Sequence, residues 1–75
     1  MLSKVVKKIS TQLYQMNLKK AFYYIAANTE HDKVKALIDN GMDPNAKNSE
    51  NKSLLYKAVI RSNYEIAEFL LSKGA

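Results

Sequence analysis

Apolar residues recur along this chain at the spacing of amphipathic α-helices. In residues 1–17 they lie on one side of a helical projection, and lysines and polar residues lie on the other side. The apolar stripe consists of Leu2, Val5, Val6, Ile9, Leu13 and Met16. This pattern predicts a basic amphipathic helix that ends near Asn17, because asparagine is a good N-cap for a following helix.

Four shorter helices are predicted in the rest of the chain. Residues 19–27 predict a second helix with an apolar block at residues 21–27, and the polar residues 28–32 that follow predict a tight turn. A third helix is expected to end at Asn40-Gly41, because glycine adopts the left-handed conformation at little cost. After a polar loop over residues 42–52, Ser53 is expected to cap a fourth helix, and Lys73-Gly74 to end a fifth.

The second half of the chain repeats the first with a period near 33 residues. Both glycines and three apolar pairs keep this offset, namely Gly41/Gly74, Val34/Ala67, Leu37/Leu70 and Ile38/Leu71. The repeated unit is helix, turn, helix, glycine and long polar loop. This order is typical of a stacked helical solenoid.

Three segments carry a resemblance to one repeat family. Residues 40–47 (NGMDPNAK) resemble the segment that joins one ankyrin repeat to the next. Residues 53–59 (SLLYKAV) occupy the slot of the ankyrin T-P-L-H-x-A-A motif, and residues 65–75 (EIAEFLLSKGA) are similar to its E-I-V-x-x-L-L-x-x-G-A ending. The pattern departs from the family at Leu54, Tyr56 and Asn51, which replace a proline, a histidine and a glycine.

The resemblance implies an all-α ankyrin-repeat solenoid of helix–turn–helix units. Two repeats, about 18–47 and 48–75, would follow the N-terminal amphipathic helix of residues 1–17, which would cap the first repeat. The abundance of lysine, asparagine and isoleucine also resembles ankyrin proteins of intracellular bacteria with AT-rich genomes.

Composition narrows the possible chemistry. The 75 residues include no cysteine, which excludes disulfides and cysteine-based zinc sites, and such a chain is short for a buried active site. His31 is the only histidine, and its place beside the predicted turn favours a structural role. We therefore expect no enzyme activity, no metal and no cofactor.

The formal net charge of +5 comes from the N-terminal third. Residues 1–29 contain five lysines and no acid, whereas the remainder has seven basic and seven acidic residues. A polar outer face suits a capping helix. The alternatives are docking on an anionic membrane, organelle targeting or nucleic-acid binding, although no apolar run approaches the roughly 18 residues that span a bilayer.

The family resemblance implies a protein–protein interaction module. We expect it in the cytoplasm, and the alternative is export to a host cell, of which the sequence gives no sign. Contacts would come from the repeat loops and the inner face of the first helix, and the basic residues there would suit an acidic partner. The candidate contact residues are Lys47, Ser49, Glu50, Lys52, Ile60, Arg61 and Lys73. Alternatives are a remnant of a longer ankyrin protein with no role of its own, and self-association through apolar residues expected on the open side of the last repeat, Leu55, Val59, Ile66 and Leu70.

Overall fold

The structure, a computed structural model, describes the backbone of residues 2–75 and the side chains from Ser10 onward. Four helices follow one another: α1 (Leu2–Ala27), α2 (His31–Asp39), α3 (Leu54–Ile60) and α4 (Tyr64–Ser72). Within residues 2–75 the only β pairing is one bridge between Lys47 and Ser53. The predicted all-α fold is confirmed.

The helix break predicted near Asn17 is wrong, because α1 continues through it as one helix of 26 residues. Asn17 is half-buried in the middle of the helix. The first glycine of the chain is residue 41 and the single proline is residue 44, so nothing in this stretch interrupts the backbone. Leu18, Ala21 and Ile25 follow Asn17 at helical spacing and are buried, and this packing outweighs the capping preference of one asparagine.

Residues with positive φ mark the turns around the helices. Asn28 and Glu30 both have φ of 54° between α1 and α2. The predicted turn is therefore present but shorter, because His31 and Asp32 already belong to α2. Gly41, with φ of 116°, follows the end of α2 as predicted.

Two predicted features of the loop before α3 are confirmed. Asn51 takes the left-handed conformation expected at this position, with φ of 62°. Ser53 caps α3, because its hydroxyl accepts a hydrogen bond of 3.0 Å from the backbone N–H of Tyr56. The loop therefore leads directly into a capped helix.

The helix pair α1 and α2 packs against the helix pair α3 and α4. α1 packs against α2 and α3, and α4 packs against α3 and α2. The largest fully buried side chains of this interior are Ile25, Val34, Leu54, Asn63, Ile66 and Leu70. Ile38 and Leu71 occupy equivalent positions in the 33-residue period but differ in exposure. Ile38 lies under the second helix pair and is 6% exposed, whereas Leu71 is 56% exposed.

Two expectations about exposed apolar residues need correction. Ile66 and Leu70, expected on the open side, are completely buried because α4 turns them toward α2 and the interior. Val59 is 55% exposed and Leu55 is half-buried. The open side of the last repeat is therefore less apolar than the sequence predicts.

The contact between α1 and the repeats also differs from expectation. Leu18, Ala21 and Ile25 form its buried side, whereas Leu13 and Met16 of the predicted stripe are 53% and 54% exposed. The stripe residues at positions 2, 5, 6 and 9 lie outside the described side chains. The C-terminal half of α1 therefore provides the packing, and the stripe is not buried at residues 13 and 16.

Candidate functional site

The loop before α3 is held in shape by its own asparagine. The side-chain oxygen of Asn48 accepts hydrogen bonds from the backbone N–H of Glu50 at 2.9 Å and of Lys52 at 3.0 Å. The backbone N–H of Asn48 donates to the carbonyl of Lys52 at 2.9 Å. Because these bonds fix the backbone, the loop presents its side chains in a defined arrangement.

Four of the seven predicted contact residues lie together in this loop. Lys47, Ser49 and Glu50 are exposed, and Lys52 is half-buried. The ammonium of Lys52 lies 4.7 Å from the centroid of the Tyr56 ring, close enough for a cation–π interaction. The loop therefore combines two cations, one anion and a hydroxyl.

The other three predicted residues are placed apart from this group. Ile60 and Arg61 are exposed at the far end of α3, about 10 Å along the helix axis from Ser53. Lys73 is exposed just after α4, where its ammonium pairs with Asp39 at 3.1 Å and lies 5.4 Å from the Phe69 ring centroid. The seven residues do not form one continuous patch.

A cleft of about 260 Å³ separates α1 from the loop. We call it the loop cleft, and its lining residues are Gln15, Leu18, Lys19 and Phe22 from α1 with Lys47, Asn48 and Ser49 from the loop. Leu18 is buried and Phe22 is half-buried, so the cleft offers apolar surface beside the cations of Lys19 and Lys47. Such a site suits a segment that carries both a carboxylate and an apolar side chain.

Sequence reasoning missed Lys19 and Phe22 as site residues. The prediction of a new helix after Asn17 separated them from Gln15. In the unbroken α1, residues 15, 18, 19 and 22 share one face at the i, i+3, i+4 and i+7 spacing. That spacing, read across Asn17, would have predicted that Lys19 and Phe22 lie on the same face of the helix as Gln15.

Ion pairs connect α2 to α4. Glu65 lies 3.0 Å from the ammonium of Lys35 and 3.3 Å from Nδ1 of His31. The hydrogen bond and charge of Lys35, with a smaller effect from His31, hold the pKa of Glu65 below its ordinary value. The other ring nitrogen of His31, Nε2, lies 3.0 Å from Oδ1 of Asn28. Both ring nitrogens of His31 therefore contact structural neighbours.

The described residues contain no group of three or more histidine, aspartate or glutamate side chains placed to hold a metal ion. In the same part of the chain, no helix combines the length and the apolar character required to cross a bilayer.

A comparison with family models identifies one family. A family model described as ankyrin repeats (3 copies) matches residues 2–75. A curated relative, the transient receptor potential cation channel subfamily A member 1 homolog of Caenorhabditis elegans, is 43% identical over 53 residues. That stretch is 69% of this chain and 4% of the channel. No solved structure matches significantly. Ankyrin repeats in general mediate protein–protein contacts and are not catalytic.

Proposed function

Because the chain belongs to the ankyrin-repeat family, we propose that it is a non-catalytic module that binds an acidic segment of a partner protein in the loop cleft. Lys19 and Lys47 contribute the cationic sides of the site, and Phe22 contributes apolar surface. Ser49, Glu50 and Lys52 contact the partner from the rest of the loop. The cytoplasmic location and the resemblance to bacterial proteins stay predictions.

The observation that carries this proposal is the convergence of two lysines on one partly apolar cleft. Exposed ammonium groups attract a carboxylate weakly on their own, because water and salt screen the charge. Beside Leu18 and Phe22, a bound segment also buries apolar surface, which adds affinity that charge alone does not supply. The charges then favour acidic sequences over others.

The remaining predicted contacts have secondary roles in this proposal. Ile60 and Arg61 extend the surface along α3 for a partner that is longer than the cleft. Lys73 can contact a partner only if its ion pair with Asp39 rearranges, so it contributes less than Lys47.

Selection of ligands from a random peptide library displayed on phage tests this function. We expect the selected peptides to combine acidic and apolar residues, because the cleft offers both complements. For a selected peptide measured by fluorescence anisotropy, Lys19→Glu and Lys47→Glu should each weaken binding by about tenfold, since attraction becomes repulsion.

Lys33→Glu is the matched control. Lys33 is an exposed lysine on α2 that does not line the loop cleft, so the same charge change there should leave affinity nearly unchanged. Equal effects of all three variants would contradict the cleft and indicate attraction by net charge. Selection of peptides without acidic residues would contradict the proposed partner.

A further inference from the structure

Two backbone hydrogen bonds close the turn that ends α2, which we call the α2 turn (residues 40–42). The N–H of Gly41 donates to the carbonyl of Ile38 at 3.1 Å. The N–H of Met42 donates to the carbonyl of Leu37 at 3.0 Å. These two bonds form the Schellman arrangement, in which a glycine with positive φ follows the end of a helix.

The dipeptide Asn40-Gly41 makes this turn chemically reactive. Asn40 is the one asparagine, among seven in the chain, that precedes a glycine. The backbone nitrogen that follows an asparagine can attack the carbon of its side-chain amide, and glycine hinders this attack least because it has no Cβ. Asn40 and Gly41 are both exposed, so water reaches them. The α2 turn therefore holds the asparagine of this chain that is most prone to deamidation.

The closed turn keeps the two reacting atoms apart. Asn40 has ψ of 9°, which turns the nitrogen of Gly41 away from the Cβ of Asn40. Attack closes a five-membered ring, and this ring requires the nitrogen and Cβ on the same side of the Cα–C bond. Rotation about that bond breaks both Schellman bonds and withdraws Met42, which is 5% exposed, from the interior. Deamidation of Asn40 therefore requires that the α2 turn opens first.

We propose that Asn40 is a deamidation site that reacts when the α2 turn opens while the rest of the fold stays closed. The nitrogen of Gly41 attacks Cγ of Asn40, and the bond from Cγ to the amide nitrogen breaks. That nitrogen leaves as ammonia, which also carries the proton of the Gly41 N–H. Water then opens the succinimide ring at either carbonyl, which gives aspartate or isoaspartate.

Few contacts oppose a local opening of this turn. Among its three residues Met42 alone is buried. Segments with few buried contacts open at a lower free energy than the whole domain unfolds. The side chain of Asn48, which precedes Ser49, offers a contrast because its oxygen accepts two backbone hydrogen bonds. The α2 turn does not line the loop cleft, so this inference does not depend on the proposed function.

The products of the reaction weaken the turn. An aspartate at position 40 adds a negative charge at the C-terminal end of α2, where the helix dipole disfavours anions and where Asp39 and Asp43 are already close in sequence. Isoaspartate also inserts its Cβ into the backbone, which displaces Gly41 from its bond to Ile38. Modified chains therefore accumulate with the time that the turn spends open.

Mass spectrometry of chains incubated at neutral pH tests the site. In guanidinium chloride and in native buffer, we expect Asn40 to deamidate faster than the other asparagines. The rate in native buffer should be at least about tenfold lower than in guanidinium chloride, because the turn is mostly closed. Equal rates in both solvents would show that the turn does not control the reaction. Faster deamidation of another asparagine in native buffer would overturn the site.

Two buried substitutions distinguish local opening from global unfolding. Met42→Val loosens the turn without changing Asn40 or Gly41, whereas Ile66→Val removes a buried methylene from α4. Circular dichroism verifies that both variants fold, and urea denaturation measures their stability. We expect Met42→Val to raise the rate of deamidation in native buffer by about tenfold, and Ile66→Val to leave it nearly unchanged. Rates that follow global stability alone in both variants would overturn local opening.

The isoaspartate form of the natural chain, separated by chromatography, tests the effect on the turn. It should unfold at a lower urea concentration than the unmodified chain, because the bond of Gly41 to Ile38 is lost. Equal unfolding midpoints would overturn the expected weakening of the turn.

Discussion

Two single polar residues, Glu65 and Asn63, connect the second helix pair (α3 and α4) to the first (α1 and α2). The carboxylate of Glu65 on α4 pairs with the ammonium of Lys35 and the ring of His31 on α2. Asn63 is buried, accepts a hydrogen bond from the backbone N–H of Ile66 at 3.3 Å and donates one to the carbonyl of Ile25 at 3.5 Å. Asn63 therefore caps α4 and contacts α1 with one amide group.

Stability should depend on pH through Glu65. Its pKa is lowered in the folded chain, so the unfolded chain takes up the proton first as the pH falls. The stabilisation by Glu65 is thus present above the ordinary pKa of 4.5 and is lost as the pH falls through the lower pKa of the folded chain. In urea titrations, Glu65→Gln should be less stable than the natural chain at pH 7, and this difference should shrink below pH 4.5.

Glu68→Gln is the control, because Glu68 is an exposed glutamate one turn further along α4. It should be nearly neutral at both pH values. A difference between Glu65→Gln and the natural chain that is the same at pH 7 and in acid would contradict the role of the carboxylate.

Sequence predicted some of these residue roles and missed others. Ser53 and Asn51 were predictable because capping and positive φ depend on the local chain alone. The turn at Asn63 was also predictable, but its bond to Ile25 depends on a contact between residues 38 positions apart. The pairing of Glu65 with α2 likewise requires knowledge of how the repeats stack.

At the level of elements, backbone conformation defines where α2 ends. Gly41 adopts φ of 116°, and no heavy atom lies within 4 Å of the position that a Cβ would take there. A side chain at this position would therefore strain the backbone without any steric clash. The glycine period in the sequence predicted this feature correctly.

Gly41→Ala should lower the free energy of unfolding by about 1 kcal/mol or more, because a residue with a Cβ disfavours this conformation. Urea denaturation measures the change. Asn40→Ala is the matched control, because Asn40 has φ of −89° and tolerates alanine. An equal loss in both variants would show that the strain at Gly41 does not decide the result.

α1 shows why element boundaries are harder to predict than element types. Its helical spacing was clear in the sequence, but Asn17 is compatible with both a cap and a helix interior. Packing of Leu18, Ala21 and Ile25 against the repeats decides in favour of the continuous helix. The loop cleft depends on this outcome, so the missed boundary also concealed Lys19 and Phe22.

For the whole molecule, equivalent positions differ in burial according to whether the other helix pair covers them. Ile38 and Leu71 share a place in the repeat, and only Ile38 is covered by the second helix pair. The repeat period could be read from the sequence. The burial of Ile66 and Leu70 could not, because both are as apolar as residues that remain exposed.

Substitutions at Ile38 and at Leu71 should change the free energy of unfolding by different amounts, because Ile38 is buried and Leu71 is exposed. Ile38→Val removes one buried methylene and should lower stability by about 0.5 to 1.5 kcal/mol. Leu71→Ala removes more atoms, yet should lower stability by less than Ile38→Val because Leu71 is largely in water. Urea denaturation at two protein concentrations measures the change in the free energy of unfolding for both variants. A larger loss for Leu71→Ala would indicate that another molecule covers this face.

Because α1 is one unbroken helix, the number of residues before Leu18 determines the direction in which its N-terminal side chains point relative to the repeats. Each residue inserted before Leu18 would rotate the preceding part of α1, residues 2–17, by 100° relative to the repeats. Four inserted residues would return that part to within about 40° of its original angle. Insertions and deletions in α1 before Leu18 therefore change the direction in which the side chains of the preceding part of the helix point, in steps of 100° per residue. The repeats themselves would keep their own contacts throughout.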